Sequence, residues 1–174
     1  AGLCIDDIPK LQRDVSKYLG FVEVHIEQGP VLNEIDLPLG KQPGSGGEKM
    51  MVDQSEHGQP ARTRYRVLDR AGNSTAWVEL QPLTGRTHQL RAHMAAIGHP
   101  IVGDGKYGGP DAFLSGSISR KMHLHARRLI IDHPDGDLID VTADLPEHFA
   151  ASMAQLGFDE EDGAVLTEAF KPGK

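Results

Sequence analysis

Residues 61–83 constrain the fold more than any other stretch. In ARTRYRVLD, residues 61–69, arginine alternates with residues of strand character. Successive side chains of a strand lie on opposite faces, so Arg62, Arg64 and Arg66 share one face and Thr63, Tyr65 and Val67 the other. Ala71-Gly72-Asn73 is a hairpin turn signal. STAWVELQPL, residues 74–83, supplies the return strand, with Ala76, Val78 and Leu80 inward. The result is a half-buried hairpin with an arginine comb on one side. Its apolar face needs a partner.

The next stretch reads as a helix. Leu90, Met94 and Ile97 recur at helical spacing, Thr84 can cap the start, and Gly98 and Pro100 stop the run. This predicts a helix over 84–97. It is unusually rich in donors, with Arg86, His88, Gln89, Arg91 and His93 close together. Arg86 would fall in the first helical turn, where a cation opposes the helix dipole. A residue placed against local preference implies another demand on it, such as an anion or a carboxylate. GHPIVGDGKYGG, residues 98–109, then reads as a glycine-rich loop able to bring backbone close to a ligand.

The remaining elements are shorter. A helix is predicted over 6–18 and an alternating strand, FVEVHI, over 21–26. Residues 40–47 form a flexible glycine-rich loop without the Gly-Lys-Ser/Thr ending of a phosphate loop. MMV, 50–52, is a short strand and 53–60 a turn region. MHLHARRLIID, 122–132, is a strand, DHPDG a turn, and LIDVTAD a last strand. A helix follows with Pro146 at its first position and Phe149, Met153 and Leu156 on one face. The acidic tail from 157 onward is expected to be mobile. Strands joined mainly by hairpin turns, with few helices, give an α+β class with a mixed, largely antiparallel sheet.

Charge is distributed unevenly. The chain of 174 residues carries a net −7, but residues 61–130 hold 11 Lys+Arg against 4 Asp+Glu, while 131–174 hold 2 against 11. A basic centre between acidic flanks is the footprint of a localised phosphate-binding face. The single cysteine, Cys4, excludes an intrachain disulfide and fits a reducing compartment. No apolar run approaches the ~20 residues that span a bilayer, and the start lacks a signal-peptide pattern. A cytoplasmic location and no membrane partner are expected. His123 and His125 alternate on the predicted strand, yet neither they nor His88, His93 and His99 show metal-site spacing. Trp77 reads as core, and Tyr107 as the better candidate for stacking on a base.

These motifs carry a resemblance. ARTRYRVLD, VELQPLTGRTHQLRAHMAAIGHPIVGDGKYGG and LHARRLIIDHP, with IDLPLGKQPGSGGEKMMVD upstream, resemble the RluA-like family of RNA pseudouridine synthases over about residues 35–150. The resemblance implies isomerisation of uridine to pseudouridine in structured RNA, ribosomal or transfer, with no metal or cofactor. In that family an aspartate acts on the flipped uridine, an arginine pairs with it, and a tyrosine lies near the base. The arginine of Thr-Gly-Arg matches Arg86. Beside it, the residues themselves offer His88, Gln89, Arg91, Lys106 and Tyr107 as RNA-contacting candidates. The His-Arg-Leu-Asp motif bearing the aspartate is absent from this sequence. The tyrosine's place falls at KYLGFVEV, on Phe21 or Tyr18, and is not carried over. The domain thus reads as an incomplete pseudouridine synthase catalytic domain, inactive alone. A sheet lacking upstream strands would leave an edge open to self-association. The alternative is an RNA-binding module without catalysis.

YLGFVEVHIEQGPVLNE, within residues 1–34, resembles a segment of the two-metal amidohydrolases acting on allantoate and N-carbamoyl amino acids. That resemblance implies a metal-ligand role for His25, although one histidine cannot complete a site of three or four ligands. The expected organisation is an N-terminal segment of different origin over 1–34, a synthase-like domain over 35–156 and the tail over 157–174.

Overall fold

The arginine-rich hairpin is the scaffold on which the rest is arranged. The computed structural model describes residues 33–44, 49–132 and 134–163. Its strands begin with β1 (Asn33–Asp36), β2 (Leu39–Lys41) and β3 (Met50–Val52), followed by the long pair β4 (Arg62–Ala71) and β5 (Thr75–Pro82). Gly72, at φ 61°, takes the left-handed turn conformation that glycine adopts without steric cost. β1 and β5 flank β4 in an antiparallel sheet, with Ile35 opposite Thr63 and Val67 opposite Val78. β2 and β3 form a separate antiparallel pair. The class is α+β with antiparallel sheets. The helix predicted over 6–18, the strand over 21–26, and Cys4 and His25 lie outside the described residues.

β4 shows how the arginine comb is accommodated. Arg62 is exposed, but Arg66 on the same face is only 2% exposed. Each guanidinium meets a carboxylate of a neighbouring strand. Glu34 of β1 receives both Arg62 Nε (2.9 Å) and Arg64 Nε (3.1 Å), and Glu79, directly across on β5, receives Arg66 Nε at 2.5 Å. Alternation placed the arginines correctly; it carries no information about the strands that would neutralise them. The register shifts between Val67 and Asp69, which makes Leu68 a β-bulge.

The core lies where β2 and β3 meet α1 (Gln89–Ala96). Ala92 of the helix packs on Leu39, Met50 and Ala61. Leu39 is 0% exposed; burying one leucine contributes roughly 1.5–3 kcal/mol. The Leu90, Met94 and Ile97 stripe is buried to half-buried as predicted, and Gly98, at φ 84°, ends the helix. The helix starts later than its sequence suggests, at Gln89. Thr84 is tied across to the sheet instead of capping: its hydroxyl accepts the Arg62 N–H at 2.9 Å and donates to Gln89 Oε1 at 2.7 Å. The capping position falls to His88, a non-glycine residue at φ 51°.

After α1 come α2 (Gly105–Gly108), a 3₁₀ turn (Gly109–Ala112), β6 (Arg128–Asp132), β7 (Leu138–Thr142) and α3 (Glu147–Leu156). The strand predicted over 122–132 begins only at Arg128, because the preceding segment bonds elsewhere: the His123 N–H donates to the Val102 carbonyl at 2.8 Å. Pro146 occupies the capping position of α3, one residue earlier than predicted. The expected face of that helix, Phe149, Met153 and Leu156, is turned inward. At the start of the segment expected to be mobile, Phe158 is buried with its ring 6.1 Å from that of Trp77, and Gly163 lies so close to the Trp77 indole that a Cβ would sit 2.2 Å from it. An apolar cavity of about 620 Å³ separates the Tyr65–Leu80 face of the hairpin from Phe149 and Met153 of α3. Among the described residues no helix is long and apolar enough to cross a membrane.

Candidate functional site

The donor-rich motif folds into two parts with different surroundings. The first is a buried platform. Gln89, at the start of α1, uses both ends of its amide. Its Oε1 accepts from the Thr84 hydroxyl (2.7 Å) and the Arg86 backbone N–H (3.0 Å), and its Nε2 donates to the Arg62 carbonyl (2.9 Å) and Thr63 Oγ1 (3.1 Å). One turn later, His93 is fully buried, with Nδ1 2.9 Å from Thr63 Oγ1 and Nε2 3.0 Å from the Leu37 carbonyl. A carbonyl only accepts, so Nε2 carries the proton and Nδ1 accepts from the Thr63 hydroxyl. Burial pushes the His93 imidazole below its ordinary pKa, which agrees with this neutral form.

Arg91 belongs to the same platform. Its Nε and one terminal nitrogen fork onto Asp104 at 2.8 and 2.7 Å, and its guanidinium carbon lies 4.9 Å from the centre of the Tyr107 ring. Burial alone would raise the Asp104 carboxyl, but the hydrogen bonds and charge of Arg91 outweigh it and hold the group below the usual carboxylate range. Asp104 also caps α2, accepting from the Tyr107 N–H at 3.3 Å. Tyr107 Oη in turn accepts from the Met50 N–H at 2.9 Å and lies 3.1 Å from His88 Nδ1. The glycine loop expected to approach a ligand approaches the chain itself. At Gly103 (φ 81°) an added Cβ would sit 2.1 Å from the Lys121 carbonyl oxygen.

The second part is the loop 84–88, whose tip is Arg86. This residue precedes the helix; the first-turn placement expected from sequence is replaced by a turn anchored on Gln89. Arg86 is exposed, its Nε donates to the Pro60 carbonyl at 3.0 Å, and among the described residues no carboxylate pairs with it. Lys106 is exposed on α2, between the capping Asp104 and Tyr107. Of the RNA-contacting candidates, then, Gln89 and Arg91 are engaged inside the molecule, His88 and Tyr107 link the loop to β3, and Lys106 faces outward, as does the catalytic candidate Arg86. Sequence reasoning missed Asp104, Thr63 and Glu34, and gave Thr84 a capping role in place of its bonds to Arg62 and Gln89. Asp104 alone had a local signal, as a capping residue before Lys106 and Tyr107.

The other histidines go to different partners. His123 Nε2 is 2.9 Å from Ser152 Oγ, and His125 Nε2 is 3.3 Å from the Ala143 carbonyl. Ser152 donates to the His148 carbonyl at 2.8 Å, so it accepts from His123, which leaves His123 Nδ1 without a proton. Burial, first, holds His123 below its ordinary pKa. Among the described residues no group of three or more His, Cys, Asp or Glu is placed to hold a metal.

Comparison with known proteins places this motif in a family. The sequence profile of the RNA pseudouridylate synthase family matches residues 10–96, and the chain belongs to that family. It is 38% identical over 126 residues, 70% of this chain and 37% of the relative, to an uncharacterized RNA pseudouridine synthase of Synechocystis. It is 41% identical to the dual-specificity RNA pseudouridine synthase RluA of Yersinia pestis, over 68% of this chain and 54% of the relative. The human RNA pseudouridylate synthase domain containing 1 superposes with a TM-score of 0.60 at 30% identity, over 86% of this chain and 63% of that one. The chain thus spans about a third to a half of the length of these two curated relatives.

Proposed function

We propose that this chain carries the arginine side of an RNA pseudouridine synthase active site and binds structured RNA, ribosomal or transfer, around loop 84–88. The observation that carries the reading is the Arg86 loop. A matched Thr-Gly-Arg-Thr-His-Gln-Leu-Arg motif holds one arginine outward on a buried platform, with no carboxylate beside it among the described residues. The names of the relatives, all RNA pseudouridine synthases, support the reaction class. In that reaction the uracil leaves its stack, its bond to the ribose passes from N1 to C5, and the C5 proton is lost to solvent while N1 gains one. Extruding the base costs a few kcal/mol. Arg86 would hold an aspartate, and no His-Arg-Leu-Asp motif occurs in the 174 residues. We therefore expect no turnover by this chain alone. A tritium-release assay on a transcript labelled at uridine C5 tests this; release above background overturns it.

An RNA-binding role without catalysis rests on the same residues and survives a negative tritium assay if binding is salt-dependent. The amidohydrolase reading rests on residues 18–34, where His25 lies outside the described residues; absence of bound zinc in the purified protein would dispose of it. The separate origin of residues 1–34 is tested by reading the genomic sequence upstream, where a His-Arg-Leu-Asp frame would mark a damaged copy of a longer enzyme. The synthase-like unit extends, on this proposal, over residues 35–156. Self-association is a further part of the proposal. Among the described residues β5 has a single neighbour, β4, and its one charge, Glu79, is neutralised by Arg66, so two β5 edges can meet antiparallel without repulsion. A monomer by light scattering across a concentration series would reject it.

A further inference from the structure

Most of the basic central segment is neutralised within the molecule. Arg62 and Arg64 share Glu34, Arg66 faces Glu79, Arg91 is forked on Asp104, and Arg127 and Arg128 meet Glu160 and Asp140. The +7 of residues 61–130 therefore overstates what the surface offers to a phosphate. Two cations beside the motif are different. Arg86 bonds to a carbonyl, and Lys49, which lies outside the basic segment, has its ammonium 5.6 Å from the centre of the Tyr107 ring; among the described residues neither meets a carboxylate.

Lys49 and Arg86 are joined through one side chain. The Met50 N–H, next to Lys49, donates to Tyr107 Oη, and that oxygen contacts His88, two residues beyond Arg86. The ring of Tyr107 thus carries Lys49 at its face and the Arg86 loop at its hydroxyl. An ammonium over an aromatic face keeps its charge and orders its stem while leaving donors free. Arg120 stacks similarly, 4.0 Å from the Phe113 ring, but has no such link to the Arg86 loop.

We propose that Lys49 is a backbone-phosphate contact for the RNA strand that passes Tyr107. The inference rests on the RNA-binding reading above. A lysine is a point charge without the planar fork that reads bases, so its contribution is independent of sequence. The test is filter binding of the full chain to two structured transcripts of unrelated sequence across a salt series. Lys49→Met keeps the stem over the ring and removes the charge. It is expected to weaken both transcripts by the same several-fold factor and to flatten the slope of log K against log salt by roughly 0.7–0.9, one phosphate's share. Lys49→Arg should restore both. Wild-type affinity and slope in Lys49→Met overturn the inference, as does a loss that Lys49→Arg fails to rescue or that falls on one transcript only. Salt-independent or absent binding by the wild-type chain would instead overturn the RNA-binding reading itself. A urea midpoint equal to wild type keeps the comparison free of unfolding; if Lys49→Met shifts it, Lys49→Gln serves in its place.

Discussion

Arg86 and Arg91 stand five residues apart in one motif, in opposite surroundings. Arg91 is half-buried, forked on a carboxylate and stacked over Tyr107, whereas Arg86 is exposed at a loop tip with a backbone carbonyl as its partner. Residues of the same type in the same helix-forming stretch have been put to two uses. One arginine helps to build the platform. The other is held out by it. The difference teaches that donor density in a sequence is not donor availability, since a buried polar group must be satisfied by the chain itself.

Removing the platform should cost the most. Arg91→Ala leaves the Asp104 carboxylate, 2% exposed, without its charged partner. A broken buried pair of this kind costs about 3 kcal/mol, and a fall in the urea midpoint with unchanged slope would register it. Retention of wild-type stability would mean that Arg91 is free to serve RNA after all. Gln89→Ala comes next. It strips two acceptor and two donor contacts from the interior at once, and about 2 kcal/mol is expected. Its distinctive signature is loosening of loop 84–88, read as faster amide exchange at Arg86, whose N–H loses its acceptor.

Acid should act more gently, on two buried histidines, one in the platform and one against α3. His93 and His123 are held neutral by burial, so their folded pKa values lie below the ordinary imidazole value of about 6.5. The unfolded chain then binds protons that the folded chain refuses. The stability they contribute is fully present above that ordinary value and is lost as pH falls through their folded values. Denaturation midpoints should decline between pH 7.5 and 5.5, before Asp104 titrates. A flat profile over that window would contradict the neutral tautomers assigned to both histidines.

Much of this was legible in the residues, and the rest fails for identifiable reasons. Period-2 alternation located β4 and β5, and the Leu90, Met94 and Ile97 spacing located the buried stripe of α1. The start of that helix was misplaced because Thr84 bonds to Arg62, 22 positions away, and no local pattern encodes a cross-link to a strand. The arginine comb was seen, but its neutralisation by Glu34 and Glu79 depends on strand pairing. The Arg91–Asp104 fork spans a glycine loop whose path is fixed by a close approach at Gly103. The packing of Phe158 and Gly163 on Trp77 was not legible either, since an acidic stretch gives no sign of a contact with a strand about 80 residues earlier. Arg86 was found from its motif. What makes it available is the Gln89 anchor, which only the fold reveals.

The most direct test of the account sets Arg86→Ala beside Arg91→Ala in two assays, urea unfolding and RNA filter binding. The account predicts a crossed result: Arg86→Ala keeps the wild-type midpoint and loses affinity several-fold, while Arg91→Ala loses stability first and affinity only as it unfolds. Equal loss of stability in both variants, or wild-type RNA affinity in Arg86→Ala, would contradict the division of the motif into a buried platform and a presented arginine.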